Sequence, residues 1–86
     1  MPKSMFSARH RKFLGLLIEA RKRANLTQSS LAVRLRRQQS FVSKFERGER
    51  RLDVLEFLEV ARALEVDPVE FLKAFDDRIT FPGKKR

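Results

Sequence analysis

Residues 27–48 read TQSSLAVRLRRQQSFVSKFERG, and this stretch decides the fold. Thr27 is a good helix N-cap, because its hydroxyl accepts a bond from an otherwise unpaired amide of the next turn. Ser30, three residues on, is not the Glu or Gln of a full capping box. Leu31, Ala32 and Leu35 make the inner face of one short helix, and Val42 and Phe45 make the inner face of the next, after a break around Arg36 and Arg37. Gly48 closes the second helix, as a glycine past the last turn does. Two short helices joined by a tight turn cross at close to a right angle, and small Ala32 at the crossing lets their backbones approach. Gln39, Ser40, Ser43 and Lys44 are then left on the outer face. That face is polar, short and mostly uncharged, the character required of a surface that reads bases.

Helical periodicity extends in both directions from this pair. Upstream it begins near Ser7 or Ala8, and Phe13, Leu17, Ala20 and Ala24 fall on one face, with Leu14 and Ile18 widening the stripe. Asn25 suits the end of this first helix, since Asn tolerates a left-handed backbone. Leu16 and Val33 fall outside the core stripes. Downstream, Asp53 with Glu56 forms a capping-box start, followed by Val54, Leu55, Phe57, Leu58, Ala61 and Leu64 at helical spacing. Asp67 and Pro68 open a fifth helix through Phe71, Leu72 and Phe75, with proline at the position whose amide would be unpaired anyway. No strand-like alternation appears. The expectation is an all-α fold of five short helices, a single domain over residues 1–86, with a basic flexible tail from residue 76 that contains Pro82-Gly83 and Lys84-Lys85-Arg86.

The composition narrows the function. A chain of 86 residues has room for one domain with a limited core, which leaves little scope for a large substrate pocket. It has no cysteine, so neither a disulfide nor a thiolate metal site stabilises it. The net charge of +9 favours polyanions. Residues 1–51 carry fourteen Lys/Arg against three acidic side chains, whereas residues 52–75 carry two against six. One end of the molecule is therefore built to face the polyanion. No run approaches the roughly 20 apolar residues of a membrane span, and the run from Phe13 to Ile18 is too short for a secretory signal. A soluble, cytoplasmic protein is expected, with no membrane partner and no cofactor.

In detail the sequence resembles the Cro and phage-repressor type of helix-turn-helix, the xenobiotic-response-element family, over about residues 13–72. The resemblance rests on Arg21, Leu26-Thr27-Gln28, Leu31-Ala32 with Leu35, Gln39-Ser40, Val42, Glu46-Arg47-Gly48 and Val60-Ala61-Arg62-Ala63-Leu64, aligned without insertion. It implies a phage-repressor-like domain whose third helix enters the major groove of double-stranded DNA by its N-terminal end. It implies that Gln39 and Ser40 take the first base-reading positions, with Ser43 and Lys44 beyond them. Gln bonds adenine through two atoms, and Ser serves several bases. Thr27 and Gln28 at the start of the second helix, Arg36 and Arg37 in the turn, and Arg47, Arg50 and Arg51 after the third helix are candidates for phosphate contacts. Arg21 and Glu46 correspond to a pair that forms an internal salt bridge in the family's phage repressors. Arg36 and Glu65 stand where the family usually has glycine, and Arg37 where it has an apolar residue, so the shape of the turn and the tilt of the third helix stay open.

Other readings compete at single residues. Phe41 either touches a thymine methyl or packs on its neighbours. His10, among Arg9, Arg11 and Lys12, reads as a solvated residue rather than a catalyst, and Asp76-Asp77 as a solvated helix end rather than a metal site. The basic arm and tail read as nonspecific phosphate or solvent contacts. Phe71, Phe75, Ile79 and Phe81 offer more apolar surface than so small a core needs, which points to a symmetric homodimer held by the C-terminal region; the alternative is that Phe71 and Phe75 complete the monomer core. The leading function is a transcriptional regulator, a repressor, in a bacterium or phage. An antitoxin that binds DNA and a toxin through different faces is an alternative, as is a protein-interaction module on the same fold. No nucleophile, base and orienting group occur in a recognisable arrangement, so an enzyme is the weakest option.

Overall fold

The computed structural model describes residues 7–80. Five helices follow in order: α1 (Ala8–Arg23), α2 (Gln28–Leu35), α3 (Gln39–Glu46), α4 (Val54–Leu64) and α5 (Pro68–Phe75), with no strand among the described residues. Short polar side chains start four of them. The Ser7 hydroxyl accepts the His10 amide, and the Asp67 carboxylate accepts Val69 and Glu70 amides ahead of α5, with Pro68 at its first position. Asp53 and Glu56 form the expected capping box at α4. Thr27 and Ser30 form one at α2, against the sequence reading: the Ser30 hydroxyl is long enough to accept the Thr27 amide at 2.8 Å while Thr27 Oγ1 accepts the Ser30 amide at 3.0 Å. Serine thus supplies the return bond that Glu or Gln usually makes.

The first four helices end in one way. A left-handed residue follows the last turn, its amide donates to a carbonyl three residues back, and the next amide donates to the carbonyl five back. The left-handed positions are Asn25, Arg36, Gly48 and Glu65, with φ of 61°, 59°, 81° and 61°. The closing bonds run from Leu26 to Arg21, Arg37 to Ala32, Glu49 to Lys44 and Val66 to Ala61. Only one of the four uses glycine. At Arg36 and Glu65 a side chain that disfavours this conformation is held in it because the chain must reverse there to bring the next helix onto the core.

That core is built from Leu14 and Leu17 of α1, Leu31 and Ala32 of α2, Val42 and Phe45 of α3, Phe57, Val60, Ala61 and Leu64 of α4, and Phe71 of α5. Ala32 is buried where α2 meets α3, as the motif requires. Several expectations are corrected. Val54, Leu55 and Leu58 have helical spacing but point outward, with 72%, 71% and 42% exposure, since Phe57, Val60, Ala61 and Leu64 already fill the inner stripe. Val33 is exposed, whereas Leu16 packs on the core. His10 is buried rather than solvated, stacked beside Phe13 with ring centroids 6.5 Å apart. Asp76 is not a solvated helix end: Arg78 and Arg9 both donate to its carboxylate at 2.9 Å, and the Arg78 side-chain and backbone bonds above all hold its pKa well below the usual carboxylate range.

The aromatic side chains of α5 pack against Phe13 of α1. Phe13 lies at the centre of a cluster with Phe57, Phe71 and Phe75, at centroid distances of 5.6, 5.7 and 5.8 Å. Arg9 covers the Phe75 ring at 5.0 Å. Phe71 is buried, Phe75 and Ile79 are half-buried, and Phe81 lies outside the described residues, as do the basic arm before Ser7 and the Lys84-Lys85-Arg86 run. Phe71 therefore lies in the monomer core.

Candidate nucleic-acid interface

The placement of α3 follows from its sequence pattern. Val42, Phe45 and Glu46 face inward and are buried, so Gln39, Ser40 and Lys44 must face outward, and all three are exposed. Ser43 is half-buried, with its hydroxyl donating back to the Ser40 carbonyl at 3.4 Å. Arg47 continues this outer stripe one turn later. The helix begins at Gln38 with no side-chain cap, so its first amides are not occupied by a capping oxygen.

Three bonds fix this helix from below. Arg21 of α1 donates through Nε to Glu46 Oε2 at 2.8 Å and through its terminal nitrogen to Oε1 at 3.0 Å. Its remaining terminal nitrogen donates to the Leu26 carbonyl at 2.9 Å. The side chains are only 11% and 5% exposed, so the two-pronged geometry supplies what the lost water would have given. Gln28 joins the pair: its amide donates to Glu46 Oε1 at 2.9 Å. The side chain expected at a phosphate is thus already oriented by the buried carboxylate, and one of its two amide hydrogens is used. Thr27 is engaged in its cap in the same way, with its hydroxyl shared between the Ser30 amide and hydroxyl.

The arginines expected at phosphates separate into two kinds. Arg36 and Arg51 are exposed, and Arg47 forms a solvent-exposed fork with Glu49 at 3.0 Å, of a kind that contributes little to stability and opens readily. Arg37 and Arg50 belong to a tighter group. Arg50 grips Glu56 of α4 with two bonds of 2.9 and 2.7 Å, and Arg37 lies 3.8 Å from the same carboxylate and 3.6 Å from Glu59. Both guanidiniums cover the Phe41 ring, at 4.3 and 4.8 Å from its centroid. The Arg50 bonds, helped by the Asp53 amide, hold the Glu56 pKa down to about 2. Phe41 also meets Phe45 edge-on at 5.5 Å, so of its two readings the structure displays the packed one. Glu56 reads from sequence only as a cap. Its second role depends on where the turn after α2 places Arg37, which no local signal in the sequence encodes.

The helix-turn-helix family model HTH_3 matches residues 17–71, most of the chain and all of α2, α3 and α4. A solved XRE-family like protein from Pseudomonas syringae pv. tomato str. DC3000 is 46% identical, with a TM-score of 0.81 over 91% of this chain and 95% of that one. The chain belongs to the XRE-type helix-turn-helix family. This XRE-type chain is also similar to a solved mutant of the restriction-modification controller protein C.Esp1396I, at 25% identity and a TM-score of 0.75 over 84% of this chain and 91% of that one. None of the curated proteins matches it in sequence. Members of the family are DNA-binding transcriptional regulators and not enzymes, and the XRE-type chain is such a regulator. Among the described residues no helix is long and apolar enough to cross a membrane, and no three His, Asp or Glu side chains are grouped to hold a metal.

Proposed function

We propose that this XRE-type chain binds a specific double-stranded DNA sequence in the cytoplasm, with the N-terminal end of α3 in the major groove, and represses transcription by occupying its operator. The observation that carries the reading is the outer stripe of α3: Gln39, Ser40 and Lys44 are exposed and Ser43 half-exposed, on a helix whose other side is locked to the core by Val42, Phe45 and the Arg21–Glu46 pair. Gln39 and Ser40 read base edges, and Lys44 one turn on reaches guanine or phosphate. Arg36, Arg47 and Arg51 flank them and hold backbone phosphates, which fixes register without reading sequence. A single eight-residue helix reads few base pairs, so two copies are needed for discrimination, and a twofold dimer sets their recognition helices about 34 Å apart. With Phe71 in the core and Phe75 packed on Phe13, the outward face of α4, Val54, Leu55 and Leu58, offers an apolar surface suited to a second copy.

The test is DNA selection from a random pool, followed by titrations of variants on the selected and on random DNA. Gln39→Ala should lose about 1–3 kcal/mol of discrimination at one base position with little change on random DNA. Arg36→Ala should weaken both alike and flatten the salt dependence. Equal losses for Gln39→Ala on selected and random DNA would remove the base-reading role of this face.

A further inference from the structure

Glu56 is an acidic side chain drawn into the basic flank of α3, where it meets both Arg37 and Arg50. It receives both terminal nitrogens of Arg50, lies 3.8 Å from Arg37, and is tied to the Asp53 amide at 3.0 Å. The Phe41 ring, in the first turn of α3, sits beneath both guanidiniums. A guanidinium fork takes a carboxylate and a phosphate by the same two-pronged geometry, so a carboxylate in the fork and a phosphate in the fork are alternatives. We propose that Glu56 is an internal stand-in for a DNA phosphate: it occupies Arg50 and Arg37 beside the recognition helix, and so sets how strongly the protein binds DNA regardless of sequence.

The physical consequence is a check on nonspecific affinity. A chain of net charge +9 binds any duplex through released counterions, and each further phosphate it neutralises strengthens random and specific binding alike. Random DNA must displace Glu56 to reach Arg50, and the carboxylate is held there by three donors, not one. Base reading by Gln39 and Ser40 does not depend on that exchange. The same glutamate also caps α4, so the check is built into a residue the fold already requires.

The inference rests on the DNA-binding reading and is separable from it. Glu56→Gln keeps the capping interaction, which glutamine also makes, and removes the charge. It should raise affinity for a random-sequence duplex at least about threefold and steepen the slope of log affinity against log salt by about one, the contribution of one more phosphate. Glu70→Gln makes the same change in net charge on α5, away from these arginines, and should do clearly less. Adding Arg50→Ala to Glu56→Gln should abolish the gain, whereas Arg50→Ala alone should cost less than Arg36→Ala, because its fork is already occupied. A thermal melt establishes that Glu56→Gln is folded; if it is not, the comparison of Arg50→Ala with Arg36→Ala decides. Equal effects of Glu56→Gln and Glu70→Gln, or an Arg50→Ala loss as large as that of Arg36→Ala, would overturn the proposal while leaving DNA binding intact. Failure of the unaltered protein to bind a random duplex even at low salt would overturn both.

Discussion

At the scale of single residues, Glu46 carries the most. Its two oxygens accept from Arg21 twice and from Gln28 once, and its side chain is 5% exposed. Such a group depends on its partners: removing Arg21 leaves a buried carboxylate uncompensated, and removing Glu46 leaves a guanidinium in the same position. Arg21→Ala and Glu46→Ala should each destabilise the protein by about 3–5 kcal/mol in urea unfolding, and the double substitution by much less than the sum. Strict additivity of the two losses would show that the pair is not an energetic unit. Exposed Arg47–Glu49, with similar distances, should give almost no coupling in the same cycle. Geometry alone does not rank these two pairs; burial does.

At the scale of elements, the helix ends separate what the chain prefers from what the fold imposes. Asn25 and Gly48 are residue types that accept a left-handed backbone, and Arg36 and Glu65 are not. A non-glycine residue in this region costs about 1–2 kcal/mol, part of which glycine returns through its greater freedom in the unfolded chain. Glu65→Gly should therefore raise stability by about 0.5–1 kcal/mol, measured by urea or thermal unfolding, since the Glu65 side chain is exposed and its 3.8 Å approach to Arg34 contributes little. Gly48→Ala should lower it by a similar amount. A destabilised Glu65→Gly would mean that the Arg34 contact outweighs backbone strain. Arg36→Gly should relieve the same strain, but it removes a cation from the proposed DNA face, so stability and affinity should move in opposite directions.

For the whole molecule, the distribution of polar and apolar surface orients the assembly. The basic flank of α3 faces DNA in the proposed function, whereas α4 carries acidic Glu56 and Glu59 toward Arg37 and turns Val54, Leu55 and Leu58 outward. An apolar strip of this kind beside a charged surface suits a twin subunit rather than a phosphate backbone. Leu55→Glu and Leu58→Glu should convert a dimer to a monomer in sedimentation at micromolar concentration, with the fold retained because both side chains lie outside the core, and should weaken operator binding far more than random binding. A protein that is monomeric before substitution, or still dimeric after both, would reject α4 as the contact. Truncation after Asp76 should leave assembly unchanged, in contrast to an interface built on Ile79 and Phe81.

The sequence by itself determined the helices, their order and the face of α3 that looks outward, because caps and apolar spacing are local properties carried by neighbouring residues. Ala32 in the crossing, Gly48 past α3 and the Asp53–Glu56 start of α4 were all legible for that reason. The pairing of Arg21 with Glu46 was legible only through the family resemblance, since no rule of spacing links residues on different helices. Tertiary structure alone decided the rest. Whether an apolar side chain is core or surface depends on which neighbours have already filled the space, so Val54, Leu55 and Leu58 came outside while His10 and Phe71 went in. Whether an arginine awaits a phosphate or already holds a carboxylate depends on which acid the folded chain brings within about 3 Å, the reach of a hydrogen bond. For Arg50 that acid was Glu56, six residues away in sequence but on the next helix.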